Sequence, residues 1–174
     1  MNSNTLNKVV NFIWFQTIWV LVIFTQYAFI WLIGLLFVAF FILSPARRRD
    51  IALMITAMVF GSVVDSLLTI FNIFAFNSAI YFIPIPLWLT ALWGAFALTL
   101  PYSLNYLQGR WWICAFLGSI SGPLSYWAGA RFGAVIFPHT LLYTLGILAM
   151  VWAIVFPACM YLTSCANRFF KEPH

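Results

Sequence analysis

The chain has 174 residues, of which 65% are hydrophobic and only 6% charged, and its formal net charge at pH 7 is +5. A globule of this size cannot hide so much apolar surface from water, so the composition excludes a water-soluble domain and predicts an integral membrane protein. The basic residues form no patch interleaved with aromatic side chains, so we expect membrane lipids and no nucleic acid as partners.

Three long segments of the chain are almost free of charge, and each is long enough to cross a membrane twice. Residues 9–46 contain no acid or base, 51–109 contain only Asp65, and 111–167 contain only Arg131 and His139. Turn and charge signals divide the chain into six transmembrane helices at 8–25, 27–44, 51–74, 85–107, 111–130 and 140–164. The predicted fold is all-α: one transmembrane domain, residues 1–174, built as a bundle of six helices.

Prolines lie inside each of the last three predicted helices, at Pro101, Pro123 and Pro157. A proline removes one hydrogen-bond donor and disturbs the carbonyl four residues earlier. We therefore expect these three helices to be kinked.

Charge also predicts the orientation of the bundle. The basic residues that cluster in alternate connections and tails are Lys8, Arg47, Arg48, Arg49, Arg110, Arg168 and Lys171. Arg131 alone falls near the opposite side. Because basic loops stay in the cytoplasm, both termini are predicted to be cytoplasmic.

Asp65 is the most informative residue of the sequence. A carboxyl near the bilayer centre costs about 2.5–3.5 kcal/mol on insertion scales, so it must face protein or water. On a helix from Ile51, one face carries Gly61, Asp65 and Asn72. This polar stripe predicts a pocket inside the bundle.

Arg131 is a candidate partner for Asp65, since both fall in the outer half of their helices. The pair requires the helix to end at a left-handed Gly129, which would free Arg131 to point inward. Otherwise Arg131 extends to the outer headgroups. Both alternatives stay open.

The candidate binding residues share polar side chains within the predicted spans. They are Asp65, Ser66, Asn72, Thr99, Ser103, Tyr126 and Arg131. We assign no catalytic residue and no cofactor: Asp65 is the only acid in the spans, and the pairing of Ser121 with His139 lacks a nucleophile motif. The cysteines and histidines lack metal-ligand spacing, so no metal is expected and an enzyme is not favoured.

Several motifs carry a resemblance to a known family. They are Asn11, "FQ" at 15–16, Trp19, "GSVVDS" at 61–66, "PLW" at 86–88, "LWGAFALTL" at 92–100, Ser103 and "GPLSYWAGARFGA" at 122–134. The chain resembles, nearly end to end, an uncharacterised family of small bacterial multi-pass inner-membrane proteins, a domain of unknown function. This resemblance implies the bacterial inner membrane as the location and implies no activity.

A second, local resemblance involves "SYWAGARFG", residues 125–133. It is similar to the Tyr-x-x-Gly-Arg-x-x-Gly element of the DedA-type lipid translocases. The chain departs from that element at Ala130, where its first arginine would stand, and at Gly122-Pro123, where a Gly-Asp step would precede it.

Two hypotheses of function follow. The first is a lipid-handling carrier or translocation helper with a polar pocket around Asp65, in which Arg131 meets an anionic headgroup. The alternative is a structural or scaffolding subunit of a membrane enzyme complex, in which Asp65 and Arg131 only lock helices together and the partner is another membrane protein.

Overall fold

The computed structural model describes residues 3–76 and 84–170. These residues form six α-helices and a single 3₁₀ turn at Asn105–Leu107. The helices are α1 (Ser3–Thr25), α2 (Ile30–Leu43), α3 (Arg47–Ile70), α4 (Leu87–Ala97), α5 (Trp111–Arg131) and α6 (Leu141–Phe169). Lys171, and residues 77–83 between the third and fourth predicted helices, lie outside the described residues.

Three helical segments are long and apolar enough to cross a membrane: Thr5–Thr25, Arg47–Ile70 and Leu141–Phe169. Their length and composition indicate membrane association. The apolar helices α2 and α4 have 14 and 11 residues, which correspond to about 21 and 17 Å against a hydrocarbon core of about 30 Å. Six crossings therefore stay a prediction.

The fourth predicted helix, 85–107, is not continuous. Helix α4 ends at Ala97, and turns follow from Leu98 to Leu104. Pro101 explains this end, because a proline disturbs the carbonyl four residues earlier, which is that of Ala97. Pro101 thus lies outside a helix, whereas Pro123 and Pro157 lie inside α5 and α6.

Helix α4 lies at the centre of the bundle. It packs against α1 and α3, while α5 pairs with α6, and α3 also contacts α6. Trp88, Leu92 and Ala95 are among its many buried residues. A helix that is apolar all round is expected to be buried in this way.

Helix α3 ends earlier than the predicted span 51–74. Asn72 has a φ of 58°, and the N–H groups of Asn72 and Ile73 donate to the carbonyls of Thr69 and Leu68 at 2.9 Å each. This pattern is a Schellman cap, in which asparagine tolerates the left-handed conformation. Asn72 is exposed there, so its prediction as part of the inward stripe was wrong.

Helix α5 ends with the same kind of cap. Gly133 has a φ of 77°, and the N–H of Ala134 donates to the carbonyl of Gly129 at 2.9 Å. Gly129 itself is helical and buried. The predicted left-handed cap at Gly129 was therefore wrong, because the helix continues to Arg131 and Gly133 provides the permissive backbone.

The two ends of the bundle differ in charge. At one end the first residues of α3 meet the last residues of α6, as the hydrogen bond between Arg49 and Asn167 shows, and Trp111 at the start of α5 contacts Tyr161 of α6. This basic end carries Lys8, Arg47, Arg48, Arg110 and Arg168. At the other end, Phe24 contacts Phe132, and Ala75 forms an isolated bridge with Ile136.

Candidate functional site

Asp65 is fully buried, with 0% of its surface exposed, as its predicted inward orientation requires. The indole N–H of Trp93 donates to Oδ2 at 2.7 Å, and the hydroxyl of Tyr126 donates to Oδ1 at 2.5 Å. A buried carboxyl without such donors would be strongly destabilising. Asp65 therefore joins α3 to α4 and α5, and both of its oxygens are satisfied within the bundle.

Two glycines make room for the side chains around Asp65. The indoles of Trp93 and Trp152 are stacked, with ring centroids 5.2 Å apart and planes inclined by 6°. A Cβ at Gly61 would overlap the Trp93 ring, and a Cβ at Gly122 would overlap the Trp152 ring. The two stacked indoles thus pack between α3 and α5 at positions where glycine leaves the helix backbone without a side chain.

Small residues form a stripe along one face of α5, at Gly118, Gly122, Ser125 and Gly129. A Cβ at Gly118 would overlap the backbone carbonyl of Trp152 and press on Phe156. The stripe therefore serves close packing of α6 on α5, as small residues do between apolar helices.

Arg131 does not pair with Asp65. Its side chain is exposed at the end of α5, and within residues 3–76 and 84–170 the salt bridge is that of Arg49 with Asp50. The physical reason is the helical course of α5, which places Arg131 nearly opposite Gly129. The sequence alternative in which Arg131 extends away from the core fits this exposure.

The other predicted site residues fall into separate places. Ser66 lies on a different face of α3 from Asp65 and lines a shallow depression beside Ser62 and Thr90. Thr99 and Ser103 are buried beyond the end of α4. The expected single pocket of Asp65, Ser66, Asn72, Thr99, Ser103 and Arg131 is therefore not formed. Tyr126 is the one other predicted site residue whose side chain donates a hydrogen bond to Asp65 among the described residues.

Asn11 holds the irregular segment after α4. Its side-chain amide donates to the carbonyl of Leu98 at 3.2 Å, and its oxygen accepts from the backbone N–H and hydroxyl of Ser103 at 3.3 and 2.7 Å. Buried backbone groups outside a helix need such partners. Asn11 supplies them from α1.

An aromatic cleft of about 540 Å³ lies between α1 and α5, with α4 and α6 behind it. Trp93 and Tyr126, the two donors to Asp65, form part of its wall. The other aromatic lining residues are Phe12, Phe15, Trp19, Trp88, Phe96, Tyr106, Trp152 and Phe156. Volume and lining are typical of a site for a small apolar ligand.

One end of the aromatic cleft is closed and the other is open. At the closed end the rings of Phe24 and Phe132 lie 4.3 Å apart, and the indole N–H of Trp19 donates to the hydroxyl of Ser125 at 2.9 Å. At the open end Phe12 and Tyr106 are 47% and 55% exposed. A ligand can therefore enter from the side or from the open end.

A second polar cluster surrounds Asp50, which the predicted helices 27–44 and 51–74 leave in a connection and which was not predicted as a site residue. Asp50 is fully buried and accepts hydrogen bonds from Ser44 and Tyr102 at 2.5 Å each. Arg49 donates to Asp50 at 2.7 Å and to Asn167 at 3.2 Å. A usable signal was present: an acid in the first turn of a helix is favoured there.

Trp93 was also missed as the partner of Asp65. Its signal was Gly61, four residues before Asp65, which leaves a flat helix surface for a large ring beside the carboxyl. In the part of the chain that the structure describes, no three histidine, cysteine, aspartate or glutamate side chains come together as a metal-binding group.

The model of one protein family, described as "Protein of unknown function (DUF2878)", matches residues 8–158. The chain belongs to this family. The matched region contains Asp65, its two donors and the whole lining of the aromatic cleft. No curated protein and no solved structure is similar enough to match the chain.

Proposed function

We propose that this member of the family is a bacterial inner-membrane protein that binds the hydrocarbon chain of a lipid in the aromatic cleft, as a carrier or translocation helper. The observation that supports this proposal is the cleft itself, about 540 Å³ in volume and lined mainly by aromatic and aliphatic side chains between α1 and α5. In a bilayer, acyl chains surround such a lateral opening.

The exposed residues that line the cleft include apolar side chains on both α1 and α5. Phe12 on α1 and Leu124 on α5 both line the cleft and are largely exposed. Such exposed apolar positions suit contact with lipid tails, where water would be unfavourable. A hydrocarbon chain can thus pass from the bilayer into the cleft over these apolar positions, beside the polar side chains of Gln16 and Ser121.

Asp65 acts as a positioning residue in this proposal. It is sealed behind Trp93 and Tyr126, whose other edges face the cleft. Its hydrogen bonds fix the orientation of both rings and so the shape of the wall. Proton-coupled translocation of the DedA kind forms no part of the proposal, because Asp65 and Arg131 do not meet.

Filling the cleft tests the proposal. Ser121 lines the cleft on α5, and its hydroxyl donates only to the carbonyl of Leu117 in its own helix. Ser121→Trp should reduce crosslinking of a diazirine-labelled hexadecanol to the protein in nanodiscs by at least about tenfold, since the indole occupies the volume of the chain. The site of crosslinking in the native chain should map to cleft residues.

Ser119→Trp is the matched control, because Ser119 makes the same kind of bond to Phe116 but does not line the cleft. It should crosslink like the native chain, and both variants should elute as folded protein. Equal crosslinking of the two variants would contradict the proposal. The scaffold hypothesis predicts equal crosslinking. It also predicts that a partner protein co-purifies with the native protein and with both variants.

A further inference from the structure

The charge around the aromatic cleft is distributed unevenly. At its closed end Phe24 and Phe132 contact each other, and Val135 and Ile23 lie beside Gly129. Its open end, at Phe12 and Tyr106, lies at the basic end of the bundle. A ligand longer than the cleft would meet these side chains at the closed end, so the open end and the side between α1 and α5 are its routes out.

Two basic residues flank this open end. Lys8 lies one turn before Phe12 on the same face of α1, and it is half-buried. Arg110 follows the cleft residues Tyr106 and Leu107 and precedes α5 directly, with an exposed side chain. Lys8 thus lies one helical turn from a lining residue, and the backbone N–H of Arg110 donates to the carbonyl of the lining residue Leu107 at 3.0 Å.

No carboxylate of the described residues competes for these two cations. Asp50 is held by Arg49, Ser44 and Tyr102, and Asp65 is sealed by its two donors. The third acid of the sequence, Glu172, lies outside the described residues. Among the described residues, Lys8 and Arg110 therefore form no ion pair, and their charge can attract an anion from outside.

We infer that the cleft selects an amphiphile with an anionic head, a carboxylate or a phosphate, and that this head lies between Lys8 and Arg110. The inference rests on the proposed function, because it takes the chain in the cleft as given. Tyr106 adds a hydroxyl and an aromatic ring at the same level, as is usual where a protein meets lipid headgroups.

Competition by ligands of one chain length tests this inference. Native protein in nanodiscs of zwitterionic lipid is crosslinked with diazirine-labelled hexadecanol in the presence of palmitate, hexadecyl phosphate or unlabelled hexadecanol. Each cation near the headgroups should strengthen anion binding about fivefold, so the anionic competitors should be about 25-fold more effective than hexadecanol. The two anions distinguish a carboxylate head from a phosphate head.

Lys8→Gln combined with Arg110→Gln should reduce this preference to less than about twofold while hexadecanol still binds. Arg47→Gln with Arg48→Gln removes the same charge from the same end, but Arg47 bonds the carbonyl of Ile42, away from the cleft. This control should keep the preference. A preference that survives the first pair, or falls equally in both, would overturn the inference.

The two levels of the proposal fail in different ways. If hexadecanol crosslinks outside the cleft and Ser121→Trp has no effect, the proposed function is wrong. If hexadecanol binds in the cleft but the native chain prefers no anion, only the inference about the head is wrong.

Discussion

At the scale of single residues, Asp65 shows how a carboxyl can be buried in an apolar bundle without a cation. Trp93 and Tyr126 donate to its two oxygens, and each donor is held in turn by a ring contact: Trp93 stacks on Trp152, and Tyr126 stacks on Phe74 at 4.9 Å. A neutral donor on a packed ring satisfies the carboxyl and adds buried apolar area. The same two rings therefore satisfy the hydrogen-bonding needs of the carboxyl and contribute to the apolar packing of the core.

Asp65→Ala should lower the free energy of unfolding by about 2–6 kcal/mol, because two buried donors lose their acceptor at about 1–3 kcal/mol each. Tyr126→Phe should cost less, since it removes one of the two bonds. The measurement is the thermal midpoint of purified protein in detergent, followed by tryptophan fluorescence.

Arg131→Ala is the comparison variant, with an expected change within about 0.5 kcal/mol because the side chain is exposed. Equal losses for Asp65→Ala and Arg131→Ala would mean that the two residues depend on each other after all. That outcome would contradict the separate placement described above.

At the scale of elements, the segment after α4 is the unusual part of the bundle. Residues Leu98, Thr99 and Leu100 are buried but not helical. Irregular backbone in an apolar environment persists only where protein groups satisfy it. Asn11 serves that purpose from α1, and Tyr102, within the same segment, bonds to Asp50 and Arg49 of α3.

Asn11→Ala should loosen this segment, because the carbonyl of Leu98 and the N–H of Ser103 lose their partner. We expect faster hydrogen–deuterium exchange of the amides in residues 98–104 and little change in α6. Thr17→Ala on the same helix is the control, since Thr17 bonds only the carbonyl of Ile13. Unchanged exchange in Asn11→Ala would show that the segment is held by packing alone.

At the scale of the whole molecule, the basic residues and the opening of the aromatic cleft lie at the same end of the bundle. The basic end of the bundle coincides with the open end of the aromatic cleft, while the opposite end is closed by aromatic contacts. If the basic end faces the cytoplasm, as the positive-inside rule predicts, the cleft opens toward the cytoplasmic leaflet.

This orientation makes a prediction about topology. A reporter enzyme that works only outside the cytoplasm should be inactive when fused after His174, and a reporter that fluoresces only in the cytoplasm should be active there. Insertion of the same reporters after Gly133 should give the reverse pattern. Matching signals at both positions would rule out the predicted orientation.

The sequence predicted the helical class and the burial of Asp65, because both follow from local facts: long apolar runs and the cost of a carboxyl in hydrocarbon. It did not predict the partners of Asp65. Trp93 lies 28 residues away and Tyr126 61 residues away along the chain, so their meeting depends on how α3, α4 and α5 pack.

The end of α4 at Ala97 could have been predicted from the sequence, because Pro101 follows four residues later. The burial of the following segment could not. That burial requires Asn11 and Asp50 to approach from two other helices.

Composition and hydrophobic runs alone thus determined that this chain forms apolar helices with a basic end. These properties depend on residues that are neighbours in the sequence. Only the tertiary structure decided that Asp65 is closed by two rings, that Arg131 stays outside, and that an open cleft lies between α1 and α5. These features depend on which faces of the helices meet. The faces of nearly uniform apolar helices differ by single glycines, such as Gly61 and Gly122. The effect of these glycines appears only when an aromatic ring of a neighbouring helix packs against them.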